Sequence, residues 1–130
     1  MDFKNEDILY NTSILISLPG IIGLFFSERK YLCISSIFTS FISFLYWKRL
    51  IPKTLDVTIA RFNYFHFLLY SFILSNLFHK FICWSLCLAL SICYLLSCHF
   101  FYKNCKYWIY FHIFFHLFTT FAELTTIFGE

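Results

Sequence analysis

Charged residues are scarce in this sequence of 130 residues: Asp, Glu, Lys and Arg together make up 13% of it, about half the share found in ordinary soluble domains. A folded chain of this length still exposes roughly a third of the surface that it exposes when unfolded, and in water that surface needs polar groups. Hydrophobic residues account for 60% of the sequence. The shortage of charge therefore excludes a soluble globular domain and predicts that lipid covers much of the exterior.

Turn-forming residues are rare as well, with three glycines and two prolines. A membrane β-barrel needs strands of alternating polarity separated by turns every ten residues or so. The sequence shows neither feature, so the membrane segments are predicted to be helical.

Long apolar windows without any charged residue are what the sequence does contain. A helix needs about 20 residues, within a range of about 17 to 25, to cross the hydrocarbon layer. The windows predict an all-α polytopic transmembrane bundle that forms a single domain with about five spans, at residues 8–26, 31–47, 57–78, 81–102 and 107–128. The acidic residues near the N-terminus argue against a cleaved signal peptide, so the first window is predicted to be retained.

The distribution of Lys and Arg predicts the orientation of the bundle, because basic residues near span ends stay on the cytoplasmic side. Five spans place most of the basic residues on the side of the N-terminus: Lys4, Lys48, Arg49, Lys53, Arg61, Lys103 and Lys106. The N-terminus is therefore predicted to be cytoplasmic and the C-terminus to lie on the other side.

Neither nucleic-acid binding nor a framework of disulfide bonds is expected. The basic residues form no stripe interleaved with aromatic residues, so no nucleic-acid partner is predicted. Five of the six cysteines fall inside the apolar windows, where a thiol is more often a small core residue than half of a disulfide. The expected partners are the lipid bilayer, a lipid substrate and further copies of the chain.

The last window differs from the others because its polar residues share one face. At about 100° per residue, His112, His116, Thr119, Glu123 and Thr126 fall on one side of a helix made otherwise mostly of Phe, Ile, Tyr and Leu. An ionisable residue inside a span is costly and normally faces the bundle interior or a cavity, which marks this face as a candidate functional site. Two histidines four residues apart can also bind one metal ion, although hydrogen bonds to neighbouring helices would explain them equally well.

Other polar residues are predicted to lie at the same end of the bundle as this histidine pair. Five spans bring Ser43 at the end of the second, Asp56 at the start of the third and His99 near the end of the fourth to that end. Asp56 is a candidate catalytic base, but it is equally explained as a cap at the start of its helix.

The order of these residues resembles the superfamily of alkaline ceramidases, adipoQ receptors and hemolysin III. The segment from Ser43 to Trp47, the pair Leu55-Asp56 and the segment from His112 to His116 correspond to its three motifs, with Trp47 where the family has histidine. The resemblance implies a zinc-dependent lipid amide hydrolase in which Asp56 and Ser43 are catalytic and His112 and His116 bind zinc. His99 is the candidate third ligand, with Glu123 as a substitute. The bias toward Phe, Ile, Tyr, Ser and Lys also resembles small membrane proteins of AT-rich genomes, including those of large DNA viruses.

Three functions therefore stay open at the level of sequence. The first is a non-enzymatic membrane protein whose intramembrane His/Asp cluster packs the bundle or lines a small cavity. The second is the zinc-dependent hydrolase, in which the metal would activate a water molecule. The third is a proton or ion path through an oligomer, along His112, His116 and Glu123.

Overall fold

The computed structural model describes residues 3–130, except for the side chains of residues 3–6 and Tyr10, and it is helical throughout with no strand in that range. Six helices follow one another: α1 (Phe3–Leu15), α2 (Ser17–Phe26), α3 (Lys30–Trp47), α4 (Lys53–Ser71), α5 (Leu77–Tyr102) and α6 (Trp108–Phe128). The predicted all-α class is confirmed.

The first predicted span consists of two helices, α1 and α2, which meet at Ile16. Pro19 explains the break, because proline has no N–H to donate to the carbonyl four residues earlier and its ring crowds that carbonyl. Ile16 keeps a helical conformation, and its N–H bonds to the Ser13 carbonyl at 3.3 Å. Hydroxyls of α3 bond to carbonyls beside the break, Ser40 to that of Ser13 at 2.6 Å and Ser36 to that of Ile16 at 2.8 Å.

In the part of the chain that the structure describes, three helical segments are long and apolar enough to cross a membrane, which is fewer than the five predicted; the first of them joins α1 and α2. They cover Asp7–Phe26, Leu77–Tyr102 and Trp108–Phe128. The predicted spans 31–47 and 57–78 lie mainly in α3 and α4, which are more polar. Helix α3 begins at Lys30 and carries several serines and a threonine, and α4 carries Lys53, Asp56 and Arg61.

The turn between α4 and α5 lies earlier in the chain than the apolar windows predict. Helix α4 ends at Ser71, and Asn76 caps the start of α5 by accepting hydrogen bonds from the backbone N–H groups of Phe78 (2.9 Å) and His79 (3.3 Å). Asparagine is among the best N-cap residues because its side-chain oxygen satisfies N–H groups that lack a helical partner. His79, predicted to lie in the connection, therefore lies in the first turn of α5.

Helix α6 is the centre of the bundle and contacts all five other helices, whereas α5 packs mainly on α6 and touches α4 more lightly. At one end of the bundle, the Arg29 guanidinium donates to the carbonyls of Thr126 (2.5 Å) and Gly129 (2.6 Å). We call this the C-terminal end. At the opposite end, Trp47 of α3 stacks on Trp108 of α6 at a centroid distance of 6.4 Å. We call this the tryptophan end.

The exterior of the bundle is apolar and the interior is rich in polar side chains. Large exposed hydrophobic residues include Phe25, Phe26, Phe62, Ile73 and Tyr102, all at least 70% exposed. A soluble monomer rarely exposes so much contiguous apolar surface, so this exterior suits lipid. The buried polar residues include Ser13, Ser36, Thr39, Ser40, Ser43, Asn63, His116, Glu123 and Thr126.

Candidate functional site

The polar face of α6 is turned into the bundle. His116 and Glu123 are each 1% exposed, and Thr126 is fully buried. Their spacing of seven and three residues places them on one side of the helix. The opposite side carries Tyr110, Phe114 and other large side chains that are exposed on the exterior, so the helical period alone accounts for this orientation.

A cavity of about 360 Å³ lies against this face. Its wall is formed chiefly by α3, α4, α5 and α6, and most of the lining is aliphatic or aromatic. The ionisable residues in the wall are Asp56, Arg61, His112, His116 and Glu123, together with Tyr64, Tyr94 and Cys87. Cavities that bind small molecules range from about 300 to 1,000 Å³ and share this composition of apolar walls with a few polar groups.

The cavity is elongated. Its wall includes residues of α6 from His112 to Glu123, a rise of about 16 Å at 1.5 Å per residue. Apolar side chains line most of this length, which suits an extended hydrocarbon chain.

Four of the five sequence-predicted site residues line this cavity: Ser43, Asp56, His112 and His116. His99 does not. It is exposed near the end of α5, with its ring against that of Phe100 at a centroid distance of 5.5 Å. Helix α5 turns Cys87, Ser91 and Tyr94 toward the cavity. The helical period continues that face at residue 98, which leaves His99 outside it.

The residues present do not complete the predicted zinc site. Within the described part of the chain, no three His, Cys, Asp or Glu side chains are grouped to hold one metal ion. His99 is therefore not placed as a third ligand. Glu123 cannot easily substitute, because it lies about 10 Å along the helix from His116 and its oxygens are already bonded to Ser36 and Asn63.

The hydrogen bonds of His116 favour the tautomer that carries its proton on Nδ1. The Thr12 hydroxyl donates to the Leu9 carbonyl at 3.0 Å and also lies 2.8 Å from Nδ1 of His116. A hydroxyl has one proton, so both contacts are satisfied only if Nδ1–H of His116 donates to the Thr12 oxygen. Nε2 of His116 is then an unprotonated acceptor.

The same reasoning applies to His112. The Ser97 hydroxyl donates to the Trp108 carbonyl at 3.1 Å and lies 3.3 Å from Nδ1 of His112. Both contacts are satisfied when His112 carries its proton on Nδ1. The two imidazoles lie edge to face at a centroid distance of 4.7 Å. No hydrogen bond to either Nε2 is present among the described residues, so both are open acceptors.

Glu123 lies in a network that is complete without any ligand. The Ser36 hydroxyl donates to the Ile16 carbonyl at 2.8 Å and lies 2.7 Å from Oε2 of Glu123. Since Ser36 has one proton, Glu123 must be protonated and donate to Ser36 for both contacts to be satisfied. Its other oxygen accepts from Nδ2 of Asn63 at 3.0 Å, and Oδ1 of Asn63 accepts from Ser35 at 2.8 Å. A neutral acid also avoids the large cost of an ionised carboxylate in an apolar interior.

Asp56 lies in the first turn of α4, just before the predicted membrane segment 57–78. Pro52 occupies the N-cap position, so Asp56 is not the cap that its place in the sequence suggested. Burial raises the pKa of the Asp56 carboxyl to about 6, while a hydrogen bond from Ser43 and the charge of Lys53 act in the opposite direction. A pKa of about 6 favours the ionised form of the carboxyl at pH 7.

Sequence reasoning missed several residues of this site. Asn63 was recognisable only as a polar residue on the same helix face as Asp56. Thr12 and Ser36 gave no signal of their role, because their contacts with α6 join residues 104 and 87 positions apart. Such pairings depend on how the helices pack.

In comparisons with known proteins, no family model, no curated protein and no solved structure matches this chain. The function must therefore be inferred from the cavity and its lining.

Proposed function

We propose that this chain is a five-pass membrane protein that binds one single-chain amphiphile inside its helical bundle. The observation that carries the proposal is the elongated cavity of about 360 Å³, whose wall is mostly apolar and includes a few ionisable residues of α4 and α6. An amphiphile matches both parts of this wall.

The proposal of five passes rests on where α3 and α4 turn their polar groups. The hydroxyls of Ser36, Thr39, Ser40 and Ser43 are buried inside the bundle, as is Asn63 of α4. The outward faces of the two helices carry Ile34, Phe38, Phe41, Phe62, Phe65 and Leu69, all at least half exposed. Packing in this way lets a helix of moderate hydropathy present an apolar surface to lipid.

The proposed orientation places the tryptophan end at the cytoplasmic face. Four basic residues adjoin this end in the connections: Lys48, Arg49, Lys103 and Lys106. At the C-terminal end, Arg29 is engaged with the last carbonyls of α6. The positive-inside tendency then places the tryptophan end in the cytoplasm.

The polar head of the amphiphile lies at the tryptophan end in this proposal. Asp56 and Ser43 are near that end of α4 and α3, and His112 is in the second turn of α6. Deeper in the cavity, Phe67, Leu90 and Ala122 supply apolar surface for the chain. The head would thus lie near the membrane surface and the chain toward the middle of the bilayer.

A substitution that fills the cavity tests this proposal. The protein purified in mild detergent is expected to retain about one single-chain lipid per molecule, measured by extraction and mass spectrometry. The Ala60→Phe variant, which adds a ring to the cavity wall, is expected to lose most of it. Ala89→Phe is the matched control, because Ala89 is half-buried like Ala60 but lies outside the cavity.

Equal retention by the wild type, Ala60→Phe and Ala89→Phe would contradict the proposal, since the lipid would then belong to the detergent micelle. Circular dichroism of each variant checks that the helices are formed.

A lipid amide hydrolase is the second candidate, favoured by the presence of Ser43, Asp56, His112 and His116 in one cavity wall. Metal analysis separates the two candidates. A binding protein with this incomplete ligand set is expected to purify with far less than one zinc ion per chain, in both the wild type and the His112→Ala, His116→Ala double variant. One zinc ion per chain, lost in the double variant, would instead support the hydrolase.

A further inference from the structure

Apart from the exposed guanidinium of Arg61, the hydrogen-bonding groups that the described cavity wall leaves open to a ligand are acceptors. With the protons of His112 and His116 assigned to Nδ1, both Nε2 atoms are acceptors with no hydrogen-bond partner in the described part of the chain, and His116 is 1% exposed. The Asp56 carboxylate accepts a hydrogen bond from Ser43, but a carboxylate has about four acceptor positions. These three groups belong to two helices that face each other across the cavity.

The hydroxyl donors of the wall are used inside the protein. Three hydroxyls donate to the carbonyl four residues earlier, at 2.7 to 2.8 Å: Thr39, Ser91 and Thr119. Because the Ser91 proton is used in this way, the Tyr64 hydroxyl at 3.2 Å is the donor in the contact between them. These four hydroxyls therefore offer a ligand no free proton.

The carboxyl and amide groups deeper in the wall are also occupied. Both oxygens of Glu123 are bonded, one to the Ser36 hydroxyl and the other to the Asn63 amide. Glu123 is neutral in this network, so Asp56 is the one ionised acid in the described cavity wall.

Two cations lie near the mouth of the cavity. Arg61 belongs to the cavity wall and is exposed, and Lys53 is exposed with its ammonium 5.9 Å from the ring centroid of Phe101. Long basic side chains at this level extend toward water and lipid headgroups. Asp56 is less exposed than Arg61 and Lys53.

From this arrangement of Asp56, His112 and His116 we propose that the amphiphile bound in the cavity is a long-chain primary amine, whose ammonium group donates hydrogen bonds to these acceptors. A primary ammonium has three N–H donors and no acceptor, which complements the three acceptor groups of Asp56, His112 and His116. The head of a fatty acid is complementary to donors and would face the Asp56 carboxylate. This inference rests on the proposed function, because it names the class of ligand for the same cavity.

A competition experiment tests the class of ligand. The full-length protein is incubated in detergent with equimolar dodecylamine and dodecanoic acid, unbound probe is removed, and the retained probes are quantified by mass spectrometry. Retention by Ala60→Phe is subtracted as background. The amine is expected in roughly tenfold or greater excess over the acid, since a charge-assisted hydrogen bond favours it and the acid lacks one.

The possible outcomes separate this inference from the proposed function. Equal retention of the two probes, or an excess of the acid, overturns the inference while leaving a chain-binding cavity. Retention of neither probe above the Ala60→Phe background overturns the proposed function itself.

The Asp56→Asn variant tests the role of the carboxylate with almost no change in side-chain volume. The preference for the amine is expected to fall roughly tenfold, because the amide removes the negative charge and adds donors. His66→Ala is the control, since His66 is exposed on the same helix and lies outside the cavity. An unchanged preference in Asp56→Asn would overturn the assignment.

Nitrogen NMR of protein labelled in its histidines provides a readout that does not depend on a variant. His112 and His116 are expected to be neutral, with Nδ1 protonated and Nε2 unprotonated, and dodecylamine is expected to shift the Nε2 signals while leaving Nδ1 nearly unchanged. Protonated Nε2 atoms in these two residues would overturn the inference, because they would make the wall a donor.

Discussion

Replacing Glu123 with alanine is expected to lower the free energy of unfolding by about 3 kcal/mol or more. The substitution removes the partner of two buried groups, the Asn63 amide at 3.0 Å and the Ser36 hydroxyl at 2.7 Å. It also leaves empty volume beside a residue that is 1% exposed. Unfolding in mixed micelles with increasing SDS, followed by circular dichroism, measures the change.

Glu123→Gln is the matched control for this prediction. Glutamine can donate to Ser36 through its amide nitrogen and accept from Asn63 through its oxygen, as the protonated acid does. We expect its stability to stay within about 1 kcal/mol of the wild type. A loss as large as that of Glu123→Ala would show that Glu123 is ionised and that the assigned network is wrong. A proton path along α6 would instead require Glu123 to titrate, and proton flux into liposomes that Glu123→Gln abolishes would support that path.

Replacing Gly20 with alanine is expected to destabilise the bundle by about 2 kcal/mol or more. A Cβ atom at Gly20 would lie 2.6 Å from the Cys33 carbonyl oxygen of α3. Backbone cannot move aside as a side chain can, so α2 and α3 would have to separate. Membrane helices approach this closely only where small residues meet. The same SDS titration measures the effect.

Two substitutions on the same helix control for this prediction. Ile22→Ala changes a residue that is 44% exposed on the exterior and is expected to change stability little. Gly23→Ala brings its Cβ against the side chains of Cys33 and Ile127, which can shift, so a smaller cost than at Gly20 is expected. The close packing of α2 on α3 would be refuted if Gly20→Ala were as stable as Ile22→Ala.

Much of the candidate site could be predicted from periodicity in the sequence. The spacing of His112, His116 and Glu123 predicts one polar face, and that face is buried in the bundle. The order of the apolar windows predicts that Ser43 and Asp56 lie at the same end as His112, and all three line the cavity. Both predictions depend on local geometry, since a helix fixes which residues share a side and a short connection fixes which ends are neighbours.

The predictions that failed depended on details that apolar windows do not encode. His99 is near the correct end of α5 but differs by one residue from the face that lines the cavity. One residue corresponds to a rotation of about 100°. The turn before α5 lies earlier in the chain than predicted, because Asn76 caps the start of the helix inside a stretch that is otherwise apolar.

The sequence by itself determined that the chain is helical and apolar outside, and that its ionisable groups share one face of the last helix, because composition and the helical period act within single segments. Only the tertiary structure decided that Thr12 and Ser97 lie against Nδ1 of the two histidines, that Ser36 and Asn63 are bonded to Glu123, and that residues of α4 and α6 line one cavity. These features follow from the packing of whole helices against one another. A hydrogen bond between residues far apart in the chain forms only after helix rotation and depth have been fixed.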